Sequence, residues 1–187
     1  MIHLYAFARG LRVVDPGLEA RPFGRVLAVV GAEEPDPLQH GLVVESLVDQ
    51  AEAVLPVRFG QRFAGDDDLA AAVAPRLEAL ERQLDHVAGC VEVGVRVVPR
   101  KEPEGAEDGA AYLRARLREQ RAVEEVHRAL TARARDSVRT SRDAGYLVAR
   151  DEVPDFSTAV ERALAGHPSL DVLCTGPWAP YSFGAAT

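Results

Sequence analysis

Lysine is almost absent from this chain, and basic residues are fewer than acidic ones. Lys101 is the only lysine among the 187 residues, so arginine supplies nearly all of the cationic side chains. The formal net charge is −7, which argues against a general attraction to nucleic acid or to anionic lipid. We therefore expect no nucleic-acid partner.

Cysteine is scarce as well. Cys90 and Cys174 lie far apart and form neither a CxxC pair nor a spacing typical of metal ligands. The sequence thus predicts free thiols rather than a disulfide framework or a zinc site.

Long apolar runs are missing. No run approaches the ~20 residues of a membrane span, and the start of the chain, Met1 to Tyr5, lacks the basic and apolar regions of a signal peptide. We expect no membrane insertion and a cytoplasmic location.

Catalytic motifs are also missing. The histidines are scattered singly, and the sequence contains no GxGxxG, no P-loop and no GxSxG elbow. We therefore expect no enzyme activity, no catalytic residue and no cofactor or metal site. The alternative is a small cytoplasmic enzyme or ligand-binding protein with a ferredoxin-like pocket, which rests on fold analogy alone.

The first half of the chain has the pattern of an α+β domain. Asp36 followed by Pro37 predicts the start of a helix that runs to about Ala53 and turns Glu45 toward water. A second helical stripe is interrupted by Pro75, where we expect a break. Residues 13–25 are interpreted as a loop, and the predicted strands are residues 2–8, 26–31 and 54–60.

The second half follows the order strand, helix, strand, strand, helix, strand, which is the split βαβ order. A polar loop is predicted at residues 99–108, before the long helix. The apolar stripe of that helix is predicted to be Leu113, Leu117, Val123, Val126 and Leu130. We predict an α+β fold of two domains, residues 1–88 and 89–187, with the strand after Leu170 closing the second sheet.

The C-terminal segment Thr-Gly-Pro-Trp-Ala-Pro-Tyr-Ser-Phe, residues 175–183, holds the only tryptophan. Its two prolines favour a stiff, extended ribbon that carries Trp178, Tyr181 and Phe183. The segment is predicted to be either a packed end strand or an aromatic docking surface. The first reading makes Trp178 a buried clamp on the second domain, whose replacement by alanine would cost about 3 to 5 kcal/mol.

Arg58 and Phe59 are further candidate contacts. Arg58 is flanked by apolar residues in a predicted strand, so a buried Arg58 would require a carboxylate partner. A salt bridge between the domains is the first interpretation, and contact of Arg58 and Phe59 with a partner protein is the second.

Several of these segments resemble the GvpF/GvpL family of gas vesicle proteins. The segments are Val-Leu-Pro-Val-Arg-Phe-Gly at residues 54–60, Tyr-Leu-Val at residues 146–148, and the aromatic segment at residues 175–183. They follow the family order across nearly the whole chain. This chain departs from the family pattern at Val93 and at Ala179, where the family often has tryptophan and proline.

The resemblance implies a function in gas vesicles. Family members are accessory or minor shell components that are thought to bind the small, very hydrophobic shell protein GvpA and other Gvp proteins. They have no known catalytic activity. The resemblance also implies two α+β domains, the second a modified ferredoxin-like fold. The oligomeric state is left open.

Overall fold

A computed structural model describes residues 1–13, 15–32, 35–100, 109–140 and 142–184. Within these ranges the chain has a mixed α+β fold, as predicted, with helices and antiparallel strand pairs. Most of the polar loop predicted at residues 99–108 lies outside the described residues.

The chain divides into two compact units, each with its own sheet. The first unit comprises Met1–Val91 and Trp178–Thr187, and the second comprises Glu92–Pro177. The sequence analysis assigns the aromatic segment to the second domain, whereas in the structure its part from Trp178 onward groups with the first unit. The reason lies in the contacts of Ala179, Pro180 and Phe183 described below.

The sheet of the first unit is centred on its first strand. The strand order is β2-β3-β1-β4, and a short strand, β5, also pairs with β1. Strand β1 is antiparallel to each of its partners. The strands are β1 (Ile2–Arg9), β2 (Leu18–Phe23), β3 (Val26–Gly31), β4 (Ala53–Pro56) and β5 (Arg62–Phe63).

Three helices accompany this sheet: α1 (Pro37–Gln50), α2 (Asp66–Val73) and α3 (Leu77–Val87). The predicted start of α1 is confirmed, because the Asp36 side chain accepts a hydrogen bond of 2.9 Å from the Gln39 main-chain nitrogen. The predicted break at Pro75 is confirmed by a 3₁₀ turn, Ala74–Arg76, between α2 and α3.

Three boundaries in this unit differ from the predictions. Helix α1 ends at Gln50 rather than at about Ala53, which is the first residue of strand β4. Residues 18–23 form strand β2 rather than part of a loop. Pro22 does not prevent this, because β2 lies at the edge of the sheet, where proline is tolerated. Strand β4 ends at Pro56, so the predicted strand over residues 54–60 is too long.

Strand β1 is buried on both faces. His3 and Tyr5 contact His40 of α1 on one face. Leu4 and Phe7 line a pocket with residues of α2 and α3. The pairing of β1 with β3 shifts register between Leu4 and Ala6, and such a bulge places residues of different parity on one face.

The second unit has a four-stranded sheet and two helices. The strand order is β7-β8-β6-β9, so the last strand lies beside the first strand of the unit. The elements are β6 (Cys90–Pro99), α4 (Gly109–Thr131), β7 (Asp136–Arg139), β8 (Asp143–Ala149), α5 (Val153–Ala165) and β9 (Leu170–Trp178).

Alternate residues of β6 supply one wall of the second core. Val93, Val95 and Val97 belong to one buried cluster with residues of α4, β8 and α5. Nδ1 of His127 lies 2.5 Å from the hydroxyl oxygen of Tyr146, and both residues are buried. Burial raises the pKa of Tyr146 to about 12, so this hydroxyl keeps its proton at neutral pH.

The predicted stripe of α4 is correct only in its second half. Val123, Val126 and Leu130 are buried, whereas Leu113 and Leu117 are 62% and 54% exposed. An α-helix rises about 1.5 Å per residue, so Leu113 lies roughly 15 Å along the axis from Val123. The first half of α4 therefore extends past the core of its own unit.

The four-residue spacing of Arg121 and Glu125, and of Glu124 and Arg128, predicts ion pairs along α4, but the structure pairs both glutamates with other residues. Glu124 pairs with Arg139 of β7 at 3.1 Å rather than with Arg128 of its own helix. Glu125 lies 3.6 Å from His167 rather than against Arg121. Tertiary partners have thus replaced the expected pairs within the helix.

Candidate functional site

The candidate functional site is the surface where the C-terminal segment of the first unit lies on helix α1. Ala179, Pro180 and Phe183 are buried, and Phe183 is only 8% exposed. Tyr181–Phe183 form a 3₁₀ turn that contacts β4. A Cβ atom at Gly184 would lie 3.2 Å from the Pro56 carbonyl oxygen, which reflects how closely the chain passes β4.

A hydrogen bond fixes this segment to α1. The main-chain nitrogen of Ala179 donates to the Glu45 carboxylate, at 3.1 Å from Oε1 and 3.2 Å from Oε2. Burial raises the pKa of Glu45, and the hydrogen bond from Ala179 acts against this shift. Burial also raises the pKa of Tyr181, to which the nearby Glu45 charge adds.

Four apolar or aromatic side chains remain exposed on α1 and on the C-terminal segment. Leu38 and Leu42 lie on the same face of α1 as Glu45, because residues spaced by three, four and seven share one side of a helix. Trp178 and Tyr181 flank Ala179 in the chain. The exposed fractions are 69% for Leu38, 55% for Leu42, 48% for Trp178 and 43% for Tyr181. We call these four residues the apolar face.

Beneath Phe59 lies a cluster of buried rings. His40 donates from Nε2 to the Val57 carbonyl oxygen at 2.9 Å, since a carbonyl can only accept. Nδ1 of neutral His40 then accepts from Nε2 of His3, also at 2.9 Å. The centroid of the Phe59 ring lies 5.8 Å from those of His3 and His40.

The chemistry of this ring cluster is that of packing and hydrogen bonding. Burial lowers the pKa of His40, and the bond to Val57 opposes that shift only in part. The His40 ring is thus neutral at physiological pH, and its two hydrogen bonds fix its tautomer. His40 is part of the helix predicted from Asp36 onward, and its Nε2–H donates to the backbone of a distant segment.

The predicted contact residues are distributed over different environments. Trp178 is half exposed, so its prediction as a buried clamp on the second domain is wrong, and Ala179, Pro180 and Phe183 hold the segment instead. Arg58 is exposed and follows β4, so the burial that would demand a carboxylate partner is not seen. Phe59 is exposed above the histidine pair.

Glu45 is a residue of the candidate site that was not predicted from the sequence. Its position on the outer side of α1 predicts a solvated carboxylate, yet its side chain is half-buried and accepts a hydrogen bond from the C-terminal segment. No local pattern identifies a partner so far along the chain. The one available signal is that Leu38 and Leu42 continue the face of Glu45, where an amphipathic helix would carry polar residues.

Metal and membrane sites were sought among the described residues. There, no group of three or more His, Cys, Asp or Glu side chains has an arrangement that could hold a metal ion. In the same part of the chain, no helix is long and apolar enough to cross a membrane.

The fold and the candidate site define an α+β protein with an exposed apolar and aromatic face. The family model described as "Gas vesicle synthesis protein GvpL/GvpF" matches residues 22–185. The chain belongs to this family, as the sequence motifs predict.

Its relatives include gas vesicle proteins of halophilic archaea. Gas vesicle protein F2 of Halobacterium salinarum is 30% identical over 148 residues, which cover 77% of this chain and 65% of that relative. The match thus spans slightly less than two thirds of the relative's length. Gas vesicle protein F of Haloferax mediterranei is 28% identical over 175 residues, which cover 89% of this chain and 79% of the relative.

Two solved structures share the fold. The gas vesicle protein GvpF from Anabaena sp. PCC7120 superposes with a TM-score of 0.79 at 17% identity, covering 100% of this chain and 96% of that one. GvpF from Microcystis aeruginosa gives a TM-score of 0.77 at 17% identity, with 97% and 98% covered. At this identity the likeness establishes a common fold.

Proposed function

We propose that this chain is an accessory or minor structural protein of gas vesicle formation, which binds the hydrophobic shell protein GvpA and other Gvp proteins. Membership of the GvpL/GvpF family supports a function in gas vesicles. The observation that carries the binding proposal is the apolar face on the first unit, Leu38, Leu42, Trp178 and Tyr181.

The physical argument rests on the cost of exposing these side chains. A cluster of large apolar side chains in water is characteristic of a surface that binds another protein. Aromatic residues of this kind supply much of the binding free energy at interfaces. A shell protein that is itself very hydrophobic has the surface chemistry that such a face would bind.

The bond between Glu45 and Ala179 gives the face its shape. It holds Trp178 and Tyr181 beside the outer side of α1, so the four side chains are presented in a fixed arrangement. A preorganised surface loses less conformational entropy on binding than a mobile one. Arg58, Phe59 and Phe183 complete the proposed contact set, with Phe183 acting through its buried position.

The domain organisation is part of the proposal. We propose an N-terminal α+β domain and a C-terminal ferredoxin-like domain, with a boundary after residue 88. The split βαβ order of elements and the sheet order β7-β8-β6-β9 support the second assignment. The two compact units support a boundary near this position, and they favour counting the C-terminal segment with the first domain.

We further propose that the protein acts in the cytoplasm and on the gas vesicle, without enzyme activity, nucleic-acid binding or membrane insertion. The net charge of −7 supports the absence of nucleic-acid binding. The names of its relatives support the location on the gas vesicle. A small enzyme is the alternative, and converging polar groups with a measurable turnover would favour it.

Binding of GvpA to the immobilised full-length chain, followed by interferometry, tests the proposal. We expect saturable binding that Leu42→Glu weakens by about tenfold or more. Leu113→Glu is the matched control, because Leu113 is an equally exposed helical leucine in the second unit. Both variants should melt like the unaltered protein, since both residues are exposed.

Two outcomes would overturn the proposal. One is the absence of binding to several homologous shell proteins. The other is an equal loss of affinity in Leu42→Glu and Leu113→Glu, which would show that the apolar face has no special part in binding.

A further inference from the structure

A second feature of the first unit is a narrow pocket at the junction of α2 and α3. Its volume is about 220 Å³. Pro75 breaks the helical path here, because proline lacks the N–H that would continue the helix. Ala72 and Val73 end α2 on one side of the pocket, and Leu80 of α3 lies on the other.

The walls of the pocket are apolar. Leu4 and Phe7 of β1 lie on its floor, brought to the same face by the register shift in that strand. Phe63 of β5 and Leu80 complete the apolar lining. An apolar cavity of about 150 Å³ is sufficient to hold a benzene molecule, so this pocket accommodates a phenyl group with a short extension.

Two polar side chains also line the pocket, and one of them is positively charged. Arg76, in the 3₁₀ turn, is the only charged residue among the described residues that line it, and Gln61 is the only neutral polar one. Both side chains are half-buried. A guanidinium group in such a position favours a carboxylate, because its planar N–H donors match the two carboxylate oxygens.

We propose that this pocket binds an apolar group that carries a carboxylate, with the apolar part against Leu4, Phe7 and Leu80 and the carboxylate on Arg76. Two sources have this chemistry: a small free carboxylic acid, and a phenylalanine or leucine beside an acidic residue in a peptide. The proposal goes beyond gas vesicle binding. The pocket is built from residues other than those of the apolar face.

The first test uses 3-phenylpropionate as the probe and the ¹⁵N-labelled full-length chain. We expect saturable shifts of the amide signals of Phe63, Ala72 and Val73. The uncharged analogue 3-phenylpropanamide should bind about fivefold more weakly, since it lacks the charge-assisted bond to Arg76. Arg76→Gln should reduce the affinity for the acid to that for the amide, whereas Arg82→Gln, on the exposed part of α3, should leave it unchanged.

Replacement of two neighbouring alanines of α2 tests whether the ligand binds in this pocket. Ala72→Phe places a ring at the mouth of the pocket and should abolish binding, whereas Ala71→Phe changes an exposed neighbour outside the lining and should not. Both positions are exposed on α2, so both variants should fold, and their melting temperatures check this. Unaltered binding to Ala72→Phe would overturn the proposal, as would an equal loss in both variants.

A capped hexapeptide with adjacent phenylalanine and glutamate distinguishes the sources. If the peptide binds at least as tightly as 3-phenylpropionate, and Ala72→Phe removes both, the ligand is a segment of a partner chain. If only the small acid binds, and Ala72→Phe removes it, the ligand is a free carboxylic acid. If neither probe gives saturable shifts at the pocket, the proposal is wrong.

Discussion

Glu45 of helix α1 accepts a hydrogen bond from the main-chain nitrogen of Ala179, a residue 134 positions later in the sequence. The bond joins the outer side of α1 to the C-terminal segment within the first unit. Burial raises the pKa of the carboxyl group, so the fold carries a charged group in an environment that disfavours charge. This relation makes the stability of the unit depend on pH.

We predict that Glu45→Gln removes part of this pH dependence. The folded-state pKa of Glu45 is raised above its unfolded value, so its contribution to stability is complete below the unfolded pKa and is lost as pH rises through the folded pKa. Glutamine keeps an acceptor for Ala179 but has no charge to bury. The free energy of unfolding of the variant, relative to the unaltered protein, should therefore rise as the pH increases from about 4, near the unfolded pKa of glutamate, through the raised folded-state pKa.

Urea unfolding at several pH values measures this difference. Glu78→Gln on α3 is the matched control, because the Glu78 side chain is almost fully exposed. If the two variants show the same pH profile, burial of Glu45 does not influence stability.

We predict that Phe183 stabilises the C-terminal segment more than Trp178 does. Phe183 is buried, and Phe183→Ala should lower the free energy of unfolding by about 3 kcal/mol. Trp178 is half exposed, so Trp178→Ala should cost roughly half as much or less. Thermal and urea unfolding of both variants measure which substitution lowers the free energy of unfolding more. A larger loss in Trp178→Ala would mean that Trp178 rather than Phe183 holds the segment in place.

The comparison of Trp178 with Phe183 marks the limit of what the sequence could predict. Prolines and aromatic rings correctly indicated a segment that is fixed to the fold, because a stiff ribbon docks at a low entropic cost. Which ring is buried depends on the surface that it meets. That surface is α1 and β4, and no periodicity in the segment itself identifies them.

Helix α4 also shows that local sequence patterns do not determine which residues are buried. The spacing of its apolar residues predicts one continuous stripe, and local spacing is correct for Val123, Val126 and Leu130. Leu113 and Leu117 continue the spacing but are exposed, because the core of the second unit does not extend along the whole helix. A repeat of residues predicts a helical face, while the length of the surface that covers it is set by tertiary structure.

We predict that Tyr146→Phe destabilises the second unit. The hydroxyl group of Tyr146 is the partner of Nδ1 of buried His127, so its removal leaves a buried polar atom without that bond. The expected cost is about 1 to 3 kcal/mol. Tyr112→Phe is the matched control, because Tyr112 is exposed and its hydroxyl accepts a hydrogen bond from half-buried Arg116.

Urea unfolding of the two tyrosine variants gives the comparison. The control should change the free energy of unfolding by less than about 0.5 kcal/mol, as surface substitutions usually do. A Tyr146→Phe variant as stable as the control would mean that the bond between Tyr146 and His127 contributes nothing to folding.

We predict that Gly94 is required for the pairing of β6 with β9. A Cβ atom at Gly94 would lie 2.6 Å from the hydroxyl oxygen of Thr175, closer than real Cβ contacts allow. Gly94→Ala should therefore force Thr175 or its strand to shift, at a cost of about 1 to 3 kcal/mol. Thr175→Ala should cost little by itself, because Thr175 is exposed.

The double variant Gly94→Ala, Thr175→Ala tests the cause of this loss. Removal of the hydroxyl group relieves the close contact, so the double variant should be more stable than Gly94→Ala alone, with a coupling free energy of about 1 kcal/mol or more. Val93→Ala is the control for a loss of packing in the same strand that does not involve Thr175. Val93 belongs to the buried cluster on the helix side of the sheet. Thr175→Ala should therefore not restore the stability lost in Val93→Ala. If the losses from Gly94→Ala and Thr175→Ala simply add, the need for glycine lies in the backbone of β6, and contact with Thr175 is not its cause.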